Sequence, residues 1–216
     1  IANELKEKHP ELYITVLEKE NTLGMHTSGR NSGVIHAGIY YKPGSIKSKV
    51  CVKGAIRLKE WCIKENIQLL KCGKLISPST PEEDLFIDVL FKRGKQNGAY
   101  VQIIDNNEIQ KLIPGAYSHS GRAIWSPNTY VVNPKNVITK LYENLTKKNV
   151  KFLFNKKIKF IDTERKKVSL NCSAIIKYKH IFNTSGLNAV SIAKKFNLSK
   201  NRIVLPFKGL YFELKN

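Results

Sequence analysis

The sequence predicts an α/β chain in which a parallel-sheet part, split along the chain, is interleaved with a mixed or antiparallel sheet part. Three observations predict it. Short apolar runs at residues 12–17 and 180–183 read as buried parallel strands beside helices. Helical stripes follow or precede them. Residues 65–134 instead hold short, irregularly alternating strands. We therefore expect residues 1–64 and 135–203 to form one domain, 65–134 to be an insert, and 204–216 to begin a return to it.

Taken in order, Ile1, Ala2 and Leu5 give a helical face that ends near Pro10. Residues 12–17 are apolar but for Thr15 and form a strand ending at Glu18. Residues 24–38 read as a loop with a helix start inside it. Ser45 is the N-cap of a helix whose stripe holds Val50, Ala55, Leu58, Trp61 and Cys62. Residues 68–77 read as one strand. Pro81 opens a helix to about Asn97, residues 100–104 form a strand, and 107–112 a short capped helix. Residues 120–132 read as strands of a half-exposed sheet. Pro134 opens a helix with Val137, Leu141 and Leu145 on one face. Strands at 150–154, 158–162, 168–170 and 173–176 follow. Residues 179–183 are a buried strand leading into a helix from Leu187 to Phe196.

Composition narrows the function. The 216 residues carry a net charge of +20, yet only six of the 37 basic residues are arginine. The lysines are scattered, so we read a compositional bias and a preference for anionic ligands, not a nucleic-acid face. Cys51, Cys62, Cys72 and Cys172 lack the close pairing of a zinc or iron–sulfur site. Cys51, Cys62 and Cys72 lie among apolar residues and read as buried reduced thiols, which suits a reducing compartment. No two histidines have metal-ligand spacing, and no metal is expected. No apolar run is long enough for a transmembrane segment, and the start is not patterned as a signal peptide.

The chemistry gathers in His26-Thr27-Ser28-Gly29-Arg30-Asn31-Ser32-Gly33-Val34-Ile35-His36-Ala37-Gly38. Hydroxyls, amides and backbone N–H groups there suit a diphosphate, and Arg30 adds a charge-assisted partner. Glu18, at a strand end just before, suits ribose hydroxyls; alone it would read as a solvated carboxylate. His36 stands equally as a proton acceptor and as a structural histidine. Asn183-Thr184-Ser185-Gly186 is a strand–helix turn small enough for a dinucleotide to approach. Lys208 and Tyr211, beside Gly209, suit a substrate carboxylate, and Tyr40 and Tyr41 would line the same cavity.

Residues 26–45, with Leu17-Glu18-Lys19-Glu20 before them, resemble the flavin-contacting segment of L-2-hydroxyglutarate oxidases and dehydrogenases. These belong to the FAD-dependent superfamily that includes D-amino-acid oxidase. Phe182-Asn183-Thr184-Ser185-Gly186-Leu187 and Pro206-Phe207-Lys208-Gly209 are similar to two further family motifs. The resemblance implies a Rossmann-like FAD-binding domain interleaved with a substrate domain. It implies FAD as cofactor, held by Glu18, His26, Thr27, Ser28, Arg30, Asn31, Ser32, Gly33, Ile158, Thr184, Ser185 and Gly186.

It also implies catalytic roles for His36 and Lys208, and oxidation of L-2-hydroxyglutarate to 2-oxoglutarate by hydride transfer to flavin N5. Oxygen, a quinone or another electron carrier would take the electrons. The protein would lie in the cytoplasm, peripherally at the inner membrane, or in the mitochondrion of a eukaryote.

The family opens with a strand and a GxGxxG loop, and this sequence starts in the helix after it. It also ends before the family's closing glycine turn. The resemblance therefore implies a piece truncated at both ends, which would bind FAD weakly alone and associate with a complementary fragment. A non-catalytic product of a split or decaying gene and a basic nucleic-acid or anionic-surface module are the alternatives. Within 127–133 the family favours P-x-T-G-I-V-D. Tyr130 stands in place of that glycine and is expected to crowd a flavin-side strand; Asn133 stands in place of the aspartate.

Overall fold

The computed structural model describes residues 1–199, 201–207 and 209. In chain order its elements are α1 (Ala2–Lys8), β1 (Thr15–Leu17), β2 (Val34–Ile35), α2 (Ile46–Lys64), β3 (Leu69–Lys71), β4 (Lys74–Ile76), α3 (Pro81–Gln96), β5 (Gln102–Asp105) and α4 (Asn106–Leu112). Then come β6 (Arg122–Ser126), β7 (Tyr130–Val132), α5 (Pro134–Lys147), β8 (Lys151–Leu153), β9 (Ile158–Asp162), β10 (Lys167–Leu170), β11 (Ile175–Lys177) and α6 (Ala189–Lys194). The chain divides into two compact units, one of residues 1–27 with 145–216 and one of residues 28–144.

The first unit holds the parallel pairing. β1 runs parallel to β8 with Val16 opposite Phe152. β9, β10 and β11 form an antiparallel sheet. Its core is Ile161, Val168 and Leu170, against which Leu17, Ile181, Ile192 and Phe196 pack. Two expectations need correction. The strand expected at 12–17 is confined to Thr15–Leu17, because Leu12 and Tyr13 are exposed. Residues 179–183 form no strand, since no described strand lends them an edge; Ile181 packs onto the β9–β11 core as irregular backbone.

The second unit contains two antiparallel sheets, ordered β2-β7-β3 and β4-β6-β5. Caps set its helices. Ser45 Oγ accepts the Ser48 N–H at the start of α2, and Thr80 Oγ1 accepts that of Glu83 in front of Pro81 at α3. Asp105 and Glu108 form a capping box on α4. Residues 68–77 are two strands rather than one. The chain turns at Gly73, with φ +69°, so that β3 pairs with β7 and β4 with β6. A Cβ at Gly73 would lie 2.1 Å from the Trp125 ring, so only glycine lets the indole lie over this turn.

Arg122, at the start of β6, ties that sheet to α3. Its Nε and Nη2 donate to Asp84 at 2.9 and 3.0 Å, and its Nη1 and Nη2 to Asp88 at 3.1 and 3.0 Å. These bonds, with one from Ser120, hold the Asp84 carboxyl below its ordinary value of 3.8. A depressed carboxyl contributes stability that is full above pH 3.8 and fades as pH falls through the folded value. Arg122→Met should therefore lower the urea midpoint at neutral pH and flatten its decline below pH 4, which a midpoint series from pH 2 to 7 reads.

The cysteines are all free. Cys62 is buried and Cys51 half-buried, but Cys72 is exposed, against expectation, because β3 turns its end toward solvent. Cys172 is also exposed. The Ala174 N–H, and then Lys156 Nζ at 3.3 Å, pull its thiol below the ordinary range, whereas burial raises Cys51 and Cys62. Cys172 should be the first cysteine alkylated by iodoacetamide near pH 7.5, as read by peptide mass spectrometry; preferential labelling of Cys72 would contradict this.

Candidate functional site

Glu18 leaves the end of β1 with its N–H bonded to the Leu153 carbonyl at 3.0 Å. Its carboxylate accepts the Glu20 N–H at 2.9 Å, which fixes one oxygen on the backbone. The Glu20 carboxylate in turn binds Lys19 and, at 2.7 Å, His26 Nε2. Lys19 first and His26 second hold the Glu20 carboxyl below its usual range. Glu18 and His26 thus belong to one short bonded chain of residues inside the first unit.

Ser28 to Gly33 belong to the second unit. They contain no helix start; turns and bends run from residue 19 to 31. Asn31 explains why. Its Nδ2 donates to the Ser28 carbonyl at 3.0 Å and its Oδ1 accepts the Gly33 N–H at 2.9 Å. A side chain that bonds local backbone groups competes with helix formation. Gly33 then takes φ +68° and lies so close to β7 that a Cβ would stand 2.0 Å from the Val132 carbonyl oxygen. Arg30 and Ser32 are exposed on this braced loop.

His36 is held between two cores. Ile35 is buried with Cys62, Ile67 and Val132; Ile39 is buried with Ile87, Ala99, Val101 and Ile124. Asn97 Nδ2 donates to the Gly38 and Tyr41 carbonyls, each at 2.8 Å, and Cys51 Sγ donates to the His36 carbonyl at 3.4 Å. The imidazole stays open to solvent at one side. It stands edge-on to Tyr40, with ring centroids 6.3 Å apart. Lys74 Nζ lies 4.6 Å from the centroid of the Tyr40 ring. Val34, His36, Ala37, Ile39, Tyr40, Lys74 and Thr129 bound a hollow of about 10 Å³, the room of one water molecule. The protein around the ring, and then the Lys74 charge, lower the His36 pKa from its ordinary 6.5. His36 is therefore neutral near pH 7 and able to accept a proton.

Tyr130 does not crowd this hollow. It pairs with Ile35 across the ladder and packs with it beside Ala55, Leu58 and Trp61 of α2, under Lys59 Nζ at 5.0 Å. Strand alternation puts its ring on the face opposite Val34, His36 and Thr129.

In the first unit, Asn183 Oδ1 accepts from Ser185 Oγ at 2.7 Å and Asn183 Nδ2 donates to the Ala189 carbonyl at 2.8 Å, which fixes the Thr184-Ser185-Gly186 turn ahead of α6. Ile158 begins β9 and packs on that sheet's core. Lys208 lies outside the described residues, as do residues 210–216. Lys74 was not singled out by sequence: within one long strand it is another lysine, and only the turn at Gly73 sets it beside His36.

The first unit pairs strands in parallel, and the second carries a braced loop of small polar residues followed by a histidine held between two cores; a mixed α/β chain of this kind is found among FAD-dependent oxidases. The chain belongs to the FAD-dependent oxidoreductase family, whose pattern it matches over residues 1–216. It is 35% identical to the mitochondrial L-2-hydroxyglutarate dehydrogenase of Caenorhabditis elegans over 99% of this chain and 51% of that protein. With the enzyme of that name from Homo sapiens the identity is 33%, over 96% of this chain and 48% of that one. The chain spans about half the length of the curated relatives it matches.

Its fold is similar to glycine oxidase from Geobacillus kaustophilus, with a TM-score of 0.82 and 15% identity over 92% of this chain and 55% of that one. It is also similar to L-α-glycerophosphate oxidase from Mycoplasma pneumoniae, a structure with FAD bound. There the TM-score is 0.68 and the identity 23%, over 79% of this chain and 46% of that one.

The residues present fit a flavin dinucleotide in their chemistry. The carboxylate of Glu18 would suit a ribose diol, and the exposed guanidinium of Arg30 and hydroxyl of Ser32 are donors of the kind a diphosphate would need. Among the described residues no helix is long and apolar enough to cross a membrane, and no cluster of ligating side chains would hold a metal ion.

Proposed function

We propose that this chain serves the FAD-dependent oxidation of a 2-hydroxy acid, L-2-hydroxyglutarate, to 2-oxoglutarate. The observation that carries this reading is a histidine anchored between two buried cores just behind the small-residue loop of a chain 33–35% identical to L-2-hydroxyglutarate dehydrogenases. Glu18 and the turn at Thr184, Ser185 and Gly186 would hold the adenosine side, with Ile158 beside the adenine. His26, Thr27, Ser28, Arg30, Asn31, Ser32 and Gly33 would serve the diphosphate and flavin. FAD, when bound, supplies the acceptor for the C2 hydride. His36 takes the proton of the C2 hydroxyl as the C2–O bond becomes a carbonyl. Lys208 offers a cation to the substrate.

Oxygen or a quinone or protein carrier would remove the electrons. The relatives' names support a mitochondrial setting in a eukaryotic cell.

The test is flavin content together with dye reduction by L-2-hydroxyglutarate. Replacing Arg30 and Ser32 together by alanine should cut flavin absorbance per mole of protein at least tenfold. Unchanged occupancy would reject the loop as the diphosphate holder, and flavin occupancy without turnover of any 2-hydroxy acid would reject the substrate class.

A further inference from the structure

We propose that Lys74 binds a carboxylate of the substrate at the hollow it shares with His36 and Tyr40, and thereby selects hydroxy acids over neutral alcohols. The inference rests on the reading of His36 as the base. Lys74 is half-buried at the start of β4 and, among the described residues, makes no ion pair with a carboxylate.

Its backbone is fixed. Lys74 pairs with Ser126 in the ladder, and the preceding Gly73 N–H donates to the Thr129 carbonyl at 3.1 Å. The ammonium lies over the Tyr40 ring, whose face attracts a cation and leaves the ammonium's other donors for an anion. Val34, Ala37 and Ile39 supply apolar walls, which strengthen a charge-assisted bond made there. The hollow of about 10 Å³ has room for one carboxylate oxygen at its floor, with the rest of the group toward its open side.

The charged and titratable groups on this hollow are few. His36 and Tyr40 come from the segment after β2 and Lys74 from β4; Thr129, between β6 and β7, bears no charge. Cys51 of α2 reaches only the His36 carbonyl. The field at His36 is thus dominated by one cation. An anion on Lys74 cancels that field, so the imidazole becomes more basic when a carboxylate arrives. Substrate binding and proton acceptance are coupled through one ammonium group.

The experiment follows His36 by NMR in labelled protein, with FAD, across pH, without and with glutarate as a non-reacting dicarboxylate. In the wild type the His36 titration should move upward on adding glutarate. In Lys74→Gln it should start higher and no longer respond, while KM for L-2-hydroxyglutarate rises roughly 10- to 100-fold and kcat at saturation changes far less. Lys74→Arg should recover most of the KM. No glutarate-induced shift in the wild type, or an unchanged KM in a folded Lys74→Gln, overturns the assignment. His36→Gln separates the two readings: if it retains turnover, the base assignment itself fails; if it is inactive while Lys74→Gln keeps its KM, only the role of Lys74 falls.

Discussion

Gly33→Ala is expected to destabilise the protein by on the order of 3 kcal/mol, enough to remove much of a typical domain's stability. Two costs add. At φ +68° an alanine pays about 1 kcal/mol that glycine does not. The larger cost is steric. The added Cβ would stand 2.0 Å from the Val132 carbonyl oxygen, and backbone cannot swing aside as a side-chain tip does. Gly33 and β7 are meanwhile bonded, the Val132 N–H donating to the Gly33 carbonyl at 3.0 Å. Moving one strand away breaks that bond. It also loosens β2, which among the described residues is paired through Val34 with Val131 and Ile35 with Tyr130, and lifts Ile35 from its core. Gly44→Ala is the control, because Gly44 has φ +76° but open space around it. It should cost about 1 kcal/mol. Urea unfolding of the three proteins reads both, and equal losses would show that the contact with Val132 does not matter.

What the sequence revealed of this fold was what short-range chemistry decides. α2, α3 and α5 begin where Ser45, Pro81 and Pro134 announce them, and α4 lies within a residue of the capped helix expected at 107–112, because a cap or an N-terminal proline acts on backbone donors within one turn. What it hid was decided by distant neighbours. Nothing near Gly73 in sequence says that the Trp125 ring lies against it, so β3 and β4 read as one strand. Residues 179–183 have the composition of a buried strand, but a strand also needs an edge to pair with. The segment at 26–38 was legible as a site by its small polar residues; its helix start was not real, because Asn31 spends its side chain on the turn. Where the Tyr130 ring goes was equally hidden in a one-dimensional pattern. The pairing with Ile35 turns its ring toward α2, and no reading of residue types alone supplies that register. Lys74 was lost among many lysines for the same reason: its neighbours in space are His36 and Tyr40, more than thirty positions earlier.

His36→Gln is expected to lower turnover of a 2-hydroxy acid by roughly 10²- to 10⁴-fold while leaving flavin content near normal. Glutamine keeps a polar group of similar reach but has no basic nitrogen. The anchors on either side, Ile35 and Ile39, are untouched, so the segment should hold its place. The pH profile carries a sharper expectation. Surrounding protein first, and Lys74 second, depress the imidazole below 6.5. A base must be unprotonated, so kcat/KM should be level near neutral pH and fall only as pH drops through that depressed value. The same shift enters stability with a definite sign. The folded imidazole binds its proton less readily than the unfolded one. Its contribution is therefore complete above pH 6.5 and is lost as pH falls through the folded value. In His36→Gln the urea midpoint should decline less over that window, in a protein whose activity is already gone. An acid limb at or above pH 6.5 in the wild type, or a His36→Gln protein within a few-fold of wild-type turnover, would remove His36 from the role of base.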